Sequence, residues 1–178
     1  MDFQLHDAAA NNDAGRITAL LRDGADIDAR DKDKRTALLI ATQVNAIDAA
    51  RVLIEAGADV NAKDTIFDTP FLYAGAEGRL DILKMILATG KANLTDRNRY
   101  GGNALIPAAH HGHPETVREL LKTRIDVNHV NRLGWTALLE TIILSDGGAI
   151  HQDIMAQLIA AGADVNLADG EGVPPLAH

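Results

Sequence analysis

The sequence predicts an all-α repeat solenoid in which helix-turn-helix units are joined by β-hairpin-like loops. Two observations predict this architecture: a loop motif recurs along the chain, and a capped helix start recurs in phase with it. A third observation is the composition of the 178-residue chain, which is 47% hydrophobic but only 3% aromatic. Because large aromatic side chains are scarce, alanine and leucine must fill the core, which favours thin and closely spaced helices.

The loop motif occurs four times as a near copy and once in degenerate form. The near copies are DGADIDAR (23–30), AGADVNAKD (56–64), TRIDVNHVN (123–131) and AGADVNLAD (161–169), and the degenerate one is TGKANLTDRN (89–98). The copies recur about every 33 residues, and a glycine in most of them is placed for the left-handed residue that follows a helix. In TRIDVNHVN, the fourth copy in chain order, Arg124 stands where this glycine is expected. We therefore expect its turn to be strained or altered.

The helix starts form the second repeating element. In DTPFLYA (68–74), Thr69 is expected to cap a helix through its hydroxyl, with Pro70 at the first helical position. Thr36 and Thr136 are expected caps in the same register. A short apolar helix, a turn and an amphipathic second helix follow each cap. Each repeat is therefore predicted to be a pair of antiparallel helices.

One unit of cap, helix, turn, helix, glycine and loop with this period resembles the ankyrin repeat. The resemblance is carried by the segments TPF, TAL, GHPE, GADVNAKD and GADVNLAD, and it covers essentially the whole chain. It implies a single ankyrin repeat domain over residues 1–178. The expected repeats are 1–30, as an N-terminal cap, 31–63, 64–97, 98–130, 131–168 and a partial repeat at 169–178. The fifth repeat has extra residues around LSDGGAIHQD, which are expected to protrude.

Charge and composition exclude several classes of function. A net charge of −8 argues against general nucleic-acid binding, which needs an excess of Lys and Arg. The chain contains no cysteine, which excludes disulfides and thiolate metal sites and fits a reducing cytoplasm. No apolar run reaches the roughly 18 residues that a membrane span requires. We therefore expect a cytoplasmic protein without a nucleic-acid or membrane partner, and a secreted effector is the alternative.

Two groups of residues are of types that could bind a metal or act in catalysis. His110, His111 and His113 form the only histidine cluster, but no Asp, Glu or Cys joins it at a metal-motif spacing. His113 is interpreted as a turn residue that bonds the backbone, as in the ankyrin family, and the other two as surface residues. The residues Ser145, Asp146 and His151 lie in the inserted turn without a nucleophile elbow. We expect no catalytic residue, no metal and no cofactor.

The resemblance implies a module for protein–protein recognition, since ankyrin repeats bind partners through a concave face of hairpin tips and first helices. The residues expected on this face are Lys32, Arg35, Ile66, Arg99, Tyr100, His110, His111, Arg132, Leu133 and Trp135. Their mixture of cations, aromatics and aliphatics is typical of a recognition patch. The expected partner is another protein with acidic and apolar features, and the chain is expected to be a monomeric adaptor or regulatory scaffold. The alternative is an interaction domain of a larger enzyme or secreted effector, whose activity lies beyond residue 178.

Trp135 is the only tryptophan of the chain. It lies between the tight turn at Gly134 and the cap at Thr136, at a position that the ankyrin family leaves variable and exposed. We therefore expect its ring to contact a partner. The rival interpretation is packing against Tyr100 of the neighbouring loop.

Overall fold

A computed structural model describes residues 3–178 and shows two compact units. The first contains the described residues up to Ala74 together with Arg79–Asn93, and the second contains Gly75–Gly78 and Leu94–His178. Met1 and Asp2, which the predicted first repeat includes, lie outside the described residues. The repeat boundaries drawn from the sequence stay a prediction.

The described residues form α-helices and no strand, which confirms the all-α class. The helices are α1 Gln4–Ala10, α2 Ala14–Arg22, α3 Ala37–Gln43, α4 Ile47–Glu55, α5 Pro70–Ala76, α6 Leu80–Ala88, α7 Leu105–His110, α8 Pro114–Leu121, α9 Ala137–Leu144 and α10 Ala149–Ala160, followed by a 3-10 helix at Pro175–Ala177. Such short helices are marginal in isolation, so their stability must come from packing against their neighbours.

In the first unit, α1 packs on α2 and α3, and α4 packs on α2, α3 and α6. The core is aliphatic with one aromatic ring, as the composition predicts. Its largest fully buried side chains are Ile17, Leu38, Leu39, Leu53, Phe71, Ile82, Leu83 and Ile86.

In the second unit, α7 packs on α8 and α9, and α10 packs on α8 and α9. The largest buried side chains here are Leu105, Leu120, Leu138 and Leu139. The extra residues of the fifth repeat contribute to a longer second helix, since α10 has 12 residues and α8 has 8. Only the short connection 145–148 remains as a loop, and Asp146 and Gly147 are exposed in it.

The predicted helix caps are confirmed. The hydroxyls of Thr36 and Thr136 each accept a hydrogen bond of 3.2 Å from a backbone N–H of the first turn. The hydroxyl of Thr69 does the same at 3.0 Å, and Pro70 is the first residue of α5. In the fourth repeat Asn103 stands at the equivalent position and accepts from the N–H of Leu105, but α7 begins one residue later, with Ala104 at its N-cap and no side-chain cap bond.

The turns after the second helices confirm the glycine pattern and show an altered turn at Arg124. Gly24, Gly57 and Gly162 have φ values of +91°, +93° and +95°. Arg124 does not have a positive φ. The hydroxyl of the preceding Thr123 donates to the Leu120 carbonyl and accepts from the N–H of Ile125 at 3.2 Å. Thr89 makes the same two bonds before Gly90, whose φ is +67°, so these bonds do not by themselves explain the different φ at Arg124. The turn is altered rather than strained.

Candidate functional site

Five hairpin tips share one hydrogen-bonded frame, and we number them in chain order. Tip 1 is 31–35, tip 2 is 64–68, tip 3 is 98–102, tip 4 is 131–135 and tip 5 is 169–173. Each begins with Asp or Asn, whose Oδ1 accepts from the N–H groups of the third and fifth residues at 2.9–3.1 Å. The first residue also donates its own N–H to the carbonyl of the fifth. The first side chain therefore fixes the backbone of the whole tip.

The fourth residue of every tip has a left-handed backbone. In the first unit this residue is Lys34 (φ +60°) or Phe67 (φ +66°), and in the second unit it is Gly101, Gly134 or Gly172. A Cβ at Gly134 would lie 2.9 Å from the Gly170 backbone nitrogen, so a side chain cannot fit there without movement of the backbone. The two units thus meet the same backbone requirement with different residues.

Backbone hydrogen bonds join neighbouring tips within each unit. The Thr65 N–H donates to the Asp33 carbonyl at 3.0 Å, which links tips 1 and 2. The Arg132 N–H donates to the Tyr100 carbonyl at 3.0 Å, which links tips 3 and 4. The His129 Nε2 also lies 2.8 Å from the Gly101 carbonyl oxygen. The tips in each unit are therefore held in a fixed register.

Tips 3 and 4 bring together four of the residues predicted from the sequence. Tyr100 and Leu133 are each 62% exposed. The Arg99 guanidinium carbon lies 4.8 Å from the centre of the Tyr100 ring, which is the geometry of a cation–π contact. Arg132 is exposed on the same pair of tips. An aromatic, an aliphatic and two arginines thus share one fixed backbone platform.

Trp135 does not fit either environment expected for it. Its side chain is half-buried rather than fully exposed. Among the residues that the structure describes, it forms no ring pair with Tyr100. Its backbone N–H donates to Asn131 at 3.1 Å, so the residue belongs to the frame of tip 4. Because this bond uses the backbone, it does not depend on the Trp135 side chain.

In the first unit, Lys32 and Ile66 are exposed as predicted, but Arg35 is occupied inside its own tip. The Arg35 guanidinium lies 2.8 Å from the Asp31 carboxylate and 3.6 Å from that of Asp33. Although burial alone would raise it, hydrogen bonds from Arg35 hold the pKa of Asp31 below its usual range. Arg35 is therefore a residue of the tip frame, and its charge is already neutralised.

Phe67 was not among the predicted site residues, yet it is 55% exposed next to the exposed Ile66. The sequence contained a signal for it. Phe67 aligns with a glycine in three of the five tips, and a large apolar side chain at a glycine position points outwards from the loop.

The predicted surface histidines His110 and His111 lie in a group of titratable side chains in the second unit. The His110 Nδ1 is 3.3 Å from Oε1 of Glu140, which is mostly buried. Burial lowers the pKa of His110 from its ordinary value of 6.5, and His111 and His151 act in the same direction. Burial raises the pKa of Glu140, and the nearby His111 opposes this. Burial and the two neighbouring histidines therefore lower the pKa of His110, whereas the carboxylate of Glu140 acts in the opposite direction.

Two of these histidines bond backbone carbonyls. The His111 Nδ1 lies 2.7 Å from the Ala76 carbonyl oxygen, and the His151 Nε2 lies 3.2 Å from that of His110. Because a carbonyl oxygen can only accept a hydrogen bond, the His111 Nδ1 and the His151 Nε2 must each carry a proton. A histidine bond to a backbone carbonyl is thus found at His111, and the backbone bond expected of His113 stays a prediction. The His113 ring packs on Gly78, where a Cβ would lie 2.6 Å from its Nδ1.

Glu140 also connects the histidines to tip 4. Its Oε2 accepts from the Asn131 side-chain amide at 3.1 Å. The other end of that amide accepts from the N–H groups of Leu133 and Trp135. A chain of contacts therefore runs from His110 through Glu140 and Asn131 to the backbone of tip 4.

The inserted turn brings Asp146 near His151 but does not assemble a hydrolase triad. The Asp146 Oδ1 lies 3.7 Å from the His151 Nδ1. The Ser145 hydroxyl accepts from the Gly147 N–H, and no hydrogen bond joins it to His151 in the described part of the chain. A search of residues 3–178 finds no group of three or more His, Cys, Asp or Glu with metal-site geometry. Within the same residues, no helix has the length and apolar character to cross a bilayer.

Stacked helix pairs with exposed, hydrogen-bonded loop tips define a helical repeat protein. The chain belongs to the ankyrin repeat family. The family model for ankyrin repeats (3 copies) matches residues 5–98 and 71–169. The resemblance found in the sequence is therefore confirmed.

Curated relatives extend this finding. The chain is 39% identical over 170 residues to the ankyrin repeat protein YahD of Escherichia coli (strain K12), covering 95% of this chain and 84% of that protein. It is 41% identical over 66 residues to the mitochondrial disaggregase of Homo sapiens, but this match covers 37% of this chain and 9% of that protein.

Solved structures show the same fold. A crystal structure of an ankyrin repeat domain from Acinetobacter baumannii AYE matches with a TM-score of 0.96 and 58% identity, covering 99% of this chain and 89% of that chain. The ankyrin repeat protein EF0377 matches with a TM-score of 0.94 and 40% identity, covering 98% of this chain and 89% of that chain.

Proposed function

We propose that the chain is a non-catalytic interaction module that binds another protein through its hairpin tips and first helices. The observation that carries this proposal is the pairing of Tyr100 and Leu133 on tips 3 and 4. Both side chains are largely exposed on a backbone that is fixed by hydrogen bonds. A partner that buries them gains apolar contact area, and little ordering entropy is lost because the tips are already in place.

The residue types around this pair support a binding role. Tyr and Arg are enriched among the residues that dominate interface energies. Arg99 lies over the Tyr100 ring, and Arg132 is exposed beside it. On a chain with a net charge of −8, these arginines favour a partner segment with acidic and apolar groups. The proposal places the chain in the cytoplasm as a monomeric adaptor or regulatory scaffold, without a nucleic-acid or membrane partner.

The absence of a catalytic role is part of the proposal. Two histidines near Glu140 and the inserted turn, His111 and His151, each direct a ring nitrogen at a backbone carbonyl. The hydroxyl of Ser145 is engaged by its own loop. These contacts support a structural use of the residue types that could otherwise serve as base and nucleophile.

The alternative is an interaction domain of a larger enzyme or secreted effector. The match to the human mitochondrial disaggregase favours it, because similar repeats make up a small part of that protein. The match to YahD supports the first proposal, because it extends over 84% of a protein named for its ankyrin repeats. Measurement of the intact mass of the protein from source cells distinguishes the two.

The test of the proposed function is capture of a partner from source cells, its identification by mass spectrometry, and a binding measurement with the purified pair. We expect the double variant Tyr100→Ala/Leu133→Ala to lose about 2 kcal/mol or more of binding free energy, which is roughly a 30-fold weaker Kd.

The matched control is Ile159→Ala, which removes an apolar side chain of 51% exposure from α10, away from the tips. This variant should bind like the wild type. Full affinity of the double variant, with unchanged stability in denaturant unfolding, would contradict the proposed binding face.

A further inference from the structure

We propose that Ile66 and Phe67 of tip 2, with Lys32 and Lys34 of tip 1 beside them, bind an acidic peptide segment that carries a large apolar side chain. This inference rests on the proposed function and adds a second binding surface for a segment of this chemistry. It concerns the first unit, whereas the pair Tyr100 and Leu133 lies in the second.

The backbone of Phe67 is the first observation. Its φ of +66° lies in the left-handed region, which disfavours every side chain and large ones in particular. The equivalent residue is glycine in tips 3, 4 and 5. Asn12 and Asn45, which also have positive φ, are of a type that tolerates it. An aromatic residue at this position is therefore unfavourable for folding, and such strain is typical of functional sites.

The exposure of Phe67 is the second observation. Phe67 and the neighbouring Ile66 are 55% and 47% exposed, so neither side chain is a core residue. The frame of Asp64 holds them, because its Oδ1 accepts from the Ile66 N–H at 2.9 Å and its carbonyl accepts from the Phe67 N–H at 3.3 Å. Two adjacent apolar side chains are thus presented by a fixed turn that does not need them for packing.

The charge of the neighbouring tip indicates the occupant. Tip 1 is joined to tip 2 by the hydrogen bond from Thr65 to Asp33. Arg35 neutralises Asp31 and approaches Asp33. The ammonium groups of Lys32 and Lys34 are the other two cations of tip 1. Both lysines are exposed, and within residues 3–178 neither forms an ion pair. Among residues 3–178, two cations without an ion pair thus lie beside an apolar pair, and they complement carboxylates beside an apolar side chain. Tip 2 also carries Asp64, which is buried in its own frame, and Asp68.

Other occupants fit less well. An anionic membrane surface or a nucleic acid needs a larger basic cluster, on the order of four to eight Lys and Arg for a lipid surface, and tip 1 also carries two aspartates. A second copy of the chain would have to bring an acidic and apolar segment to the same place. The test must therefore distinguish binding of a peptide from self-association of the chain.

The test uses short fluorescent peptides and the full chain in anisotropy titrations. The probe contains a Leu-Phe pair flanked by glutamates. One matched peptide replaces the glutamates with glutamines, and another replaces the Leu-Phe pair with serines. We expect the probe to bind more tightly than both, and its affinity to fall as salt is added.

The decisive variant is Phe67→Gly, because it separates binding from folding. It removes the ring and relieves the left-handed strain, so we expect about tenfold weaker binding of the probe together with a higher melting temperature. A residue that served only the fold would give a lower melting temperature. Asn45→Gly, which relieves a positive φ without removal of a ring, is the matched control and should leave binding unchanged.

The lysines are tested by the double variant Lys32→Gln/Lys34→Gln, with the exposed Lys84→Gln of α6 as control. We expect a several-fold loss of affinity in the first and none in the second. Equal binding of the three peptides, or wild-type binding by Phe67→Gly, would overturn the inference. Loss of probe binding only in Tyr100→Ala/Leu133→Ala would also overturn it while leaving the proposed function intact. A Phe67-dependent dimer in sedimentation experiments would show that a second copy is the occupant and would overturn the peptide assignment.

Discussion

Tips 1 and 2 of the first unit carry side chains at the left-handed position where tips 3, 4 and 5 of the second unit carry glycine. The hydrogen-bonded frame is the same in both units, so the backbone requirement is the same. A non-glycine residue in this conformation costs about 1–2 kcal/mol. The first unit therefore accepts a cost at Lys34 and Phe67 that the second unit avoids.

Close contacts explain part of this difference. A Cβ at Gly134 would clash with the backbone of tip 5, and a Cβ at Gly101 would lie 2.9 Å from the Cγ of Arg132. Glycine in tip 4 is thus required by space as well as by φ, whereas a Cβ at Gly172 of tip 5 would meet no atom within 4 Å. The comparison shows that glycine at tip 4 also satisfies packing, whereas the side chains of tips 1 and 2 are retained against a conformational cost. The latter is where a functional role is best sought.

The largest effect is expected for a side chain at Gly134. Gly134→Ala combines a positive φ with a clash against the backbone nitrogen of Gly170, so we expect a loss of about 2–3 kcal/mol in the free energy of unfolding. Gly101→Ala should cost less, because its nearest contact is the flexible side chain of Arg132. Urea denaturation measures both. An equal loss of unfolding free energy in the two variants would mean that the positive φ alone requires glycine at these positions.

A smaller effect of opposite sign is expected for Phe67→Gly. Relief of the left-handed strain should raise the free energy of unfolding by about 1 kcal/mol, partly offset by the greater entropy of glycine in the unfolded chain. The same urea experiment applies. A destabilised variant would show that the ring contributes packing, and the contrast between the units would then lose its functional meaning.

Replacement by glycine should be unfavourable at a residue whose φ is not positive. Arg124→Gly is therefore expected to lower the free energy of unfolding by about 0.5–1 kcal/mol, because glycine gains only unfolded-state entropy there. Stabilisation by this variant would indicate that the turn adopts a positive φ once glycine permits it. Thr123→Val, which removes the bonds to Leu120 and Ile125, measures what those bonds contribute to stability.

The smallest effect concerns pH and should appear in the second unit. The pKa of His110 is lowered in the folded chain, so below its ordinary value of 6.5 the unfolded state binds more protons. Stability should therefore fall as the pH decreases through this value. Glu140, whose pKa is raised, acts oppositely at lower pH. An NMR titration of His110 with a midpoint at or above 6.5 would contradict this, and His110→Gln should weaken the dependence.

The local elements of this fold could be predicted from the sequence. The caps at Thr36, Thr69 and Thr136 and the glycine at 57 depend on hydrogen bonds and φ preferences within a few residues, and all four are found. The turn at Arg124 could be predicted only as strained or altered, because the missing glycine does not show which of the two the backbone adopts.

The site could be predicted only in part. Tyr100 and Leu133 are exposed on linked tips as expected, because their tip positions place them there. Arg35 was predicted as a contact residue, but an ion pair with Asp31 within the same tip neutralises it. Whether a guanidinium turns inwards depends on rotamers that spacing alone does not determine.

By itself the sequence determined the period, the helix pairs, the caps and the positions of the glycines, because each depends on interactions within one repeat. Only the tertiary structure decided how exposed each tip side chain is, because that depends on atoms from repeats about 33 residues away in the chain. Trp135 shows this dependence, since it is half-buried at a position expected to be exposed. So does Phe67, whose exposed ring and left-handed backbone together mark the first unit as a candidate binding site.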